Sequence, residues 1–240
     1  AAPNGNMLEL FVAVVPALSL EPDPDPMVPI AGGPGQASSE FYASTTNAFE
    51  AVRRTRDIVL LDQRGTGNSA PMTCEPDEAL AKGRYSRAQT IAQTEACLLA
   101  LPHDPRYFTT SVAVQDLEAL RLALSYEKFN VYGISYGSRV AQHYMRRYPG
   151  STRTVVLDGV VPPQLALGPA IAIEAQKTLD SIFLRCTEST DCGERYPHIE
   201  TDFAALRSSL ALKTVMVQLM NPVTGAADKI EFGNDEMAGA

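Results

Sequence analysis

The sequence predicts an α/β fold, a mostly parallel sheet with helices on both faces. Three observations predict it. Short apolar runs within Asp57–Asp62, Phe129–Ile134 and Thr154–Asp158 read as strands buried on both sides. Segments with apolar residues at helical spacing separate them. The resulting order, strand–helix–strand–helix–strand, is that of a parallel sheet built with crossover helices. A chain of 240 residues is long enough for one sizeable core and a small insertion.

The elements follow in order. Met7 to Val15 is rich in β-forming residues and stops at Pro16. Glu21 to Pro26 alternates Pro and Asp, which predicts an extended connection. Met27 to Ala31 is a short apolar run that stops at Gly32-Gly-Pro-Gly35. Residues 39–54 predict a helix with Phe41, Phe49 and Val52 as its apolar points. The strand over 57–62 ends in a polar, glycine-rich loop, Gln63 to Ser69. Residues 75–102 read as two helical pieces broken near Gly83. Thr110 or Ser111 is the expected N-cap of a helix carrying Val114, Leu117, Leu120, Leu122 and Leu124. A strand over Phe129 to Ile134 is followed by a helix from Tyr136 to Tyr148, stopped by Pro149-Gly150. Thr154 to Asp158 is a third buried strand, followed by Gly159 and Pro162-Pro163.

After residue 165 the rhythm changes. Residues 168–186 and 199–212 predict helices with a cysteine-containing loop between them, and 214–219 and 229–232 predict short strands. Residues 1–164 are therefore expected to be the N-terminal part of a core. Residues 165–240 are expected to be part of a mainly helical cap, inserted after the strand that ends at Asp158.

The net charge is −8, so the chain carries no electrostatic footprint for nucleic acid or for an anionic membrane surface. No apolar run approaches a membrane span. No basic segment precedes an apolar one at the N-terminus, so no signal peptide is recognisable in this chain. Four cysteines, Cys74, Cys97, Cys186 and Cys192, allow three pairings. Cys186 and Cys192 lie in a short loop that could close on itself, and Cys74 and Cys97 bracket the 75–102 excursion. Disulfides are the expectation, and with them an oxidising compartment, secreted or in the periplasm or cell envelope. Neither pair has Cys-x-x-Cys spacing, and no metal-ligand cluster is evident. Gly65-Thr-Gly67 lacks the third glycine of a dinucleotide fingerprint, so no cofactor is expected.

Gly133-Ile-Ser135-Tyr-Gly137 carries the chemistry. It matches G-x-S-x-G, in which a serine sits on a sharp strand-to-helix turn with small residues two before and two after it. The flanking segments read as the required strand and helix, whose N-terminus favours a developing negative charge. Gly32 to Gly35 follows a short strand about 100 residues earlier, where such a fold supplies a backbone N–H for an oxyanion. Ser135 is thus the expected nucleophile, with the Gly33 and Tyr136 amides as the expected oxyanion donors.

Ala-Gly-Gly-Pro-Gly (31–35), Asp-Gln-Arg-Gly-Thr-Gly-Asn-Ser (62–69) and Gly-Ile-Ser-Tyr-Gly (133–137) occur in that order. Together they resemble the proline iminopeptidase and tripeptidyl aminopeptidase family of α/β-hydrolases. Val156-Leu-Asp-Gly-Val-Val-Pro-Pro163 and the cysteine-containing stretch 181–212 look like the tripeptidyl aminopeptidase branch, with 156–163 leading into the cap. The resemblance implies a secreted or cell-envelope serine peptidase that removes short pieces from free peptide N-termini. Some relatives are instead esterases or small-amide hydrolases. Ala31 stands where many relatives have His, and Gln36 where others have Gly.

A serine nucleophile needs a base and an orienting carboxylate, which this fold supplies later in the chain. His103 precedes the motif, His143 lies along the helix leaving it, and His198 falls in the expected cap. None is the expected base. Asp158 ends the next strand and reads as structural. The triad Asp and His are expected beyond Ala240, with the rest of the core. Glu200, Asp202, Asp235 and Glu236 lie in cap-like sequence and carry no assignment. A non-catalytic module that kept the turn but lost the triad is the remaining alternative, and the oligomeric state is left open.

Overall fold

In the computed structural model, residues 7–74, 86–166, 168–221, 224–233 and 237 are described. The strands are β1 (Val12–Val15), β2 (Met27–Ile30), β3 (Ile58–Leu61), β4 (Phe129–Ile134), β5 (Thr152–Asp158), β6 (Val215–Met220) and β7 (Ala227–Phe232). The helices are α1 (Ser38–Thr45), α2 (Glu50–Arg53), α3 (Arg87–Ala100), α4 (Thr110–Ala123), α5 (Tyr136–Arg147), α6 (Pro169–Glu188), α7 (Thr190–Arg195) and α8 (Ile199–Leu212). The chain divides into two compact units after Leu165.

The first unit is built on a five-stranded sheet of order β1-β3-β2-β4-β5. Only β1 runs antiparallel, pairing Val12 with Leu61 through Val15 with Ile58. The remaining pairs are parallel, and β4 aligns with β5 from Phe129 to Ile134. Side chains alternate across the sheet with period two. Val59 and Leu61 join Val28, Ile30, Phe129 and Val131 on one face, under Val114 and Leu117 of α4 and Val140, Ala141 and Tyr144 of α5. Ile58 and Leu60 point the other way, towards Phe41 and Tyr42 of α1 and Phe49. The two faces need different crossovers, β2-α1-β3 on one side and β4-α5-β5 on the other. That arrangement brings the C-terminal ends of the central strands β2 and β4 side by side.

Several details differ from the sequence expectation. The helix expected over 39–54 is interrupted by a 3₁₀ segment at Thr46–Phe49, where the Thr45 and Thr46 hydroxyls bond back to the Phe41 and Tyr42 carbonyls. The N-cap of α4 is Thr109, not Thr110 or Ser111, and the Thr110 hydroxyl instead hydrogen-bonds the Tyr136 phenol at 2.7 Å. Of the 75–102 stretch, residues 75–85 lie outside the described residues. From Arg87 onward it forms α3, opened by a capping box between Ser86 and Gln89. Both cysteine pairs are bonded, Cys74 to Cys97 and Cys186 to Cys192. The second pair closes the short segment between its cysteines, as expected, though most of that segment is helical. It joins α6 to the short α7, whose N-cap Ser189 accepts from the Cys192 amide.

The second unit holds α6, α7, α8 and the antiparallel β6–β7 hairpin, which pairs Val215 with Phe232 through Met220 with Ala227. Phe183 of α6 and Phe203 of α8 meet edge to face at 5.3 Å. No helix among the described residues is long and apolar enough to cross a membrane.

Candidate active site

Ser135 sits between the end of β4 and the start of α5 with φ 53° and ψ −121°. A positive φ is uncommon for any residue but glycine, and this ψ lies outside even the left-handed helical region. The surroundings hold the turn there. The Ser135 amide donates to the Asp158 carbonyl on β5 at 2.8 Å. The Ser135 carbonyl accepts from the Ser138 amide at 3.0 Å and from the Ser138 hydroxyl at 2.6 Å. The side chain is exposed, and among the described residues of its own unit nothing hydrogen-bonds its hydroxyl.

The flanking glycines are required by contact. A Cβ on Gly133 would collide with the Gly137 carbonyl, and a Cβ on Gly137 would meet the Ala31 carbonyl oxygen at 2.6 Å and the Ile30 carbonyl closer still. The turn is thus wedged against the end of β2. This close approach also carries the 31–37 loop over the serine. A Cβ on Gly32 would stand 3.3 Å from the Ser135 Cβ and 3.7 Å from its Oγ.

Two amides at this point have no backbone acceptor. Tyr136 is the first residue of α5, so its N–H has no intrahelical partner. The Gly33 N–H has no hydrogen-bond partner among the described residues, and Gly33 takes φ +102°, which its lack of a Cβ permits. The neighbouring Gly32 N–H is engaged, donating to the Gln36 side-chain oxygen at 3.3 Å. The Tyr136 ring is buried, with its phenol on Thr110, and so anchors the first turn of α5.

Past the serine, α5 holds the segment that leaves β5. The buried Ser138 hydroxyl accepts from the Val161 amide at 2.8 Å while donating to Ser135. Gln142 donates to the Ser138 and Val161 carbonyls, and Arg139 donates to the Pro162 and Leu165 carbonyls. Sequence reasoning missed these three residues, because nothing in their types announces the partners they reach.

The remaining acids and histidines fall as follows. Asp158 is exposed at the end of β5, and its carboxyl accepts from the Tyr132 phenol at 2.6 Å. Burial and then that carboxyl push the Tyr132 phenol up to about 12. His143 is half-buried on α5. Burial, then the positive charges of Arg146 and Arg147, hold its imidazole below the usual range. The His103 ring lies 6.2 Å from that of Phe108. In the second unit, His198 lines an open cleft of about 350 Å³ with Asp180, Phe183, Leu184 and Glu200. Asp235 and Glu236 lie outside the described residues. Among the described residues, no group of His, Cys, Asp or Glu is arranged to hold a metal ion.

Residues 25–189 match the family of the alpha/beta hydrolase fold. A tripeptidyl aminopeptidase of Streptomyces lividans is 27% identical over 225 residues, covering 84% of this chain and 41% of the relative. A probable proline iminopeptidase of Streptomyces coelicolor is 31% identical over 144 residues, covering 58% of this chain and 34% of the relative. The crystal structure of the proline iminopeptidase of Mycobacterium smegmatis aligns with a TM-score of 0.49 at 18% identity, covering 90% of this chain and 61% of that one. The chain spans about two fifths of the length of the tripeptidyl aminopeptidases it matches.

Proposed function

This chain belongs to the family of the α/β-hydrolase fold, and on that premise we propose that it carries the nucleophile and oxyanion site of a serine hydrolase. Within that class we favour an aminopeptidase that cleaves short units from free peptide N-termini. The observation that carries the reading is Ser135: an exposed hydroxyl on a backbone turn of φ 53°, followed by Tyr136 and overlain by the loop of Gly33, whose amides have no acceptor among the described residues. A structural serine has no need of that backbone, whereas a nucleophile does.

In this reading the Ser135 Oγ attacks the substrate carbonyl, and its proton passes to a general base. The carbonyl oxygen gains charge and is held by the Gly33 and Tyr136 N–H groups, aided by the N-terminus of α5. Collapse expels the amine, which takes up the proton, and leaves an acyl group on Ser135. Water then releases the acid. None of His103, His143 and His198 is given the role of base. Residues 1–164 would belong to the catalytic core and 165–240 to a cap. The names of the relatives favour a peptidase. The two disulfides favour a secreted, periplasmic or cell-envelope setting.

The test uses the full protein and its Ser135→Ala variant with three substrates: a peptidyl arylamide with a free amino terminus, the same compound acetylated, and a short acyl ester. The expected result is turnover of the first alone, lost in the variant. Preference for the ester would move the assignment to an esterase. Unchanged turnover in Ser135→Ala would remove the nucleophile, and no turnover of any substrate would favour a non-catalytic module.

A further inference from the structure

The loop Asp62–Ser69 has no part in the mechanism above, yet it packs beside the site. Asp62 is fully buried at the end of β3, and no cation hydrogen-bonds or pairs with it among the described residues. Its carboxyl takes its hydrogen bonds from polar groups instead. One oxygen accepts from the Ser39 amide at 2.9 Å. The other accepts from the Ser39 hydroxyl at 3.0 Å and the Asn68 amide at 3.2 Å. Ser39 is the second residue of α1, and the N-cap of that helix, Ala37, has no side chain that could cap it. Asp62 therefore does for α1, from a strand 23 residues away in sequence, what an N-cap side chain does locally.

The position of α1 matters because of what precedes it. Ala31 to Gln36 is the entire connection between β2 and Ala37. One end is fixed by β2 against Gly137. The other end is fixed by Asp62, and Gly67 of the same loop packs so close to Ala37 that a Cβ there would meet the Ala37 methyl at 2.7 Å. Gly33 lies between these anchors, and its own turn contains no backbone hydrogen bond that would hold its amide.

We infer that Asp62 is a positioning residue for the oxyanion site, fixing the Gly33 N–H through the N-terminus of α1. The inference rests on the reading of Ser135 and Gly33 given above. It goes beyond it in assigning the buried carboxyl of a separate loop to transition-state binding. An oxyanion donor acts on charge that exists only during reaction, so losing its alignment lowers kcat and leaves KM little changed.

The experiment compares Asp62→Asn, Ser39→Ala and Ser135→Ala in the full protein. Turnover is expressed per active site, titrated with a fluorophosphonate, and the rate of that titration is recorded as well. Asp62→Asn puts an amide NH₂ where one oxygen now accepts, and Ser39→Ala removes only the hydroxyl donor. The expected result is a fall in kcat of about tenfold or more for Asp62→Asn and about threefold for Ser39→Ala. Phosphonylation should slow in parallel, with KM within twofold. The loss should stay below the roughly 10²–10³-fold cost of removing an oxyanion donor outright. A merely structural role would reduce the titrated sites and leave kcat per site unchanged, which overturns the inference. So would a KM rise that accounts for the whole loss. If Asp62→Asn does not fold, Ser39→Ala decides, and wild-type kcat in it overturns the inference. Activity surviving in Ser135→Ala would instead refute the nucleophile, a separate outcome.

Discussion

If the turn at Ser135 is held in a conformation that a side chain resists, replacing the serine with glycine should stabilise the protein while destroying its function. Alanine is the proper comparison, since it removes the hydroxyl and keeps the Cβ. Among the described residues of its unit nothing hydrogen-bonds the hydroxyl, which is exposed, so Ser135→Ala should change stability little. The bonds that hold the turn use the Ser135 amide and carbonyl, and both variants keep them. A non-glycine residue at such angles stores about 1–3 kcal/mol. Glycine releases that strain but loses about 0.5–1 kcal/mol more in chain entropy on folding. The difference between the variants centres on about 1 kcal/mol in favour of glycine. For a unit of this size that is a rise of about 2–4 °C in melting temperature. Urea and thermal unfolding of the two variants measure it directly. If Ser135→Gly is no more stable than Ser135→Ala, the turn is not strained, and the argument that singles out Ser135 loses its physical basis.

Two further perturbations probe the support of the site. Gly137→Ala drives a Cβ into the Ile30 and Ala31 carbonyls, backbone atoms at and just past the end of β2 that cannot swing aside as a side chain would. Overpacking of this kind costs about 1–3 kcal/mol, and fluorophosphonate labelling of Ser135 should slow as the 31–37 loop shifts; wild-type stability with wild-type labelling would contradict the wedge. Glu118 gives the pH dependence. Burial alone would raise its carboxyl, but bonds from Arg121, Tyr144 and Ser151 outweigh that and hold it below its ordinary value. A depressed carboxyl contributes stability above its unfolded value of about 4.3, and that contribution is lost as pH falls through the folded value. Glu118→Gln should therefore be less stable than wild type at pH 7, by about 1.5–3 kcal/mol for bonds to a charged group. The gap should narrow as pH drops below about 4.3, and a gap constant from pH 7 to pH 3 would show that charge at Glu118 is irrelevant.

What was legible in the sequence was whatever the backbone demands locally. Gly133 and Gly137 are readable because a contact with backbone atoms excludes every other residue at fixed offsets from Ser135. The strands β3 and β4 are readable because burial on both faces favours apolar residues, in an unbroken run in β3 and around the buried Asn130 in β4. The Thr109 cap was not readable, since the Thr110 hydroxyl is engaged by a tertiary partner, the Tyr136 phenol, and the 3₁₀ break after Thr45 was not, since Thr hydroxyls bond back to carbonyls inside helices that continue as well as in ones that break. The same limit applies more sharply to the site. Ser138, Arg139 and Gln142 are ordinary polar residues on a helix, and only the path of residues 159–165 gives Ser138 the Val161 amide as a donor and Arg139 and Gln142 the carbonyls of Val161, Pro162 and Leu165 as acceptors. Asp62 is an intermediate case. Its glycine-rich surroundings marked a loop of special geometry, but the donors that satisfy its carboxyl include Ser39, on another crossover and 23 residues earlier. The strand-to-helix turn at Ser135 can be read from five residues because its constraint is steric and local. The contacts that would aim the Gly33 amide cannot, because their parts meet only after the sheet has brought β2, β3 and β4 to one end.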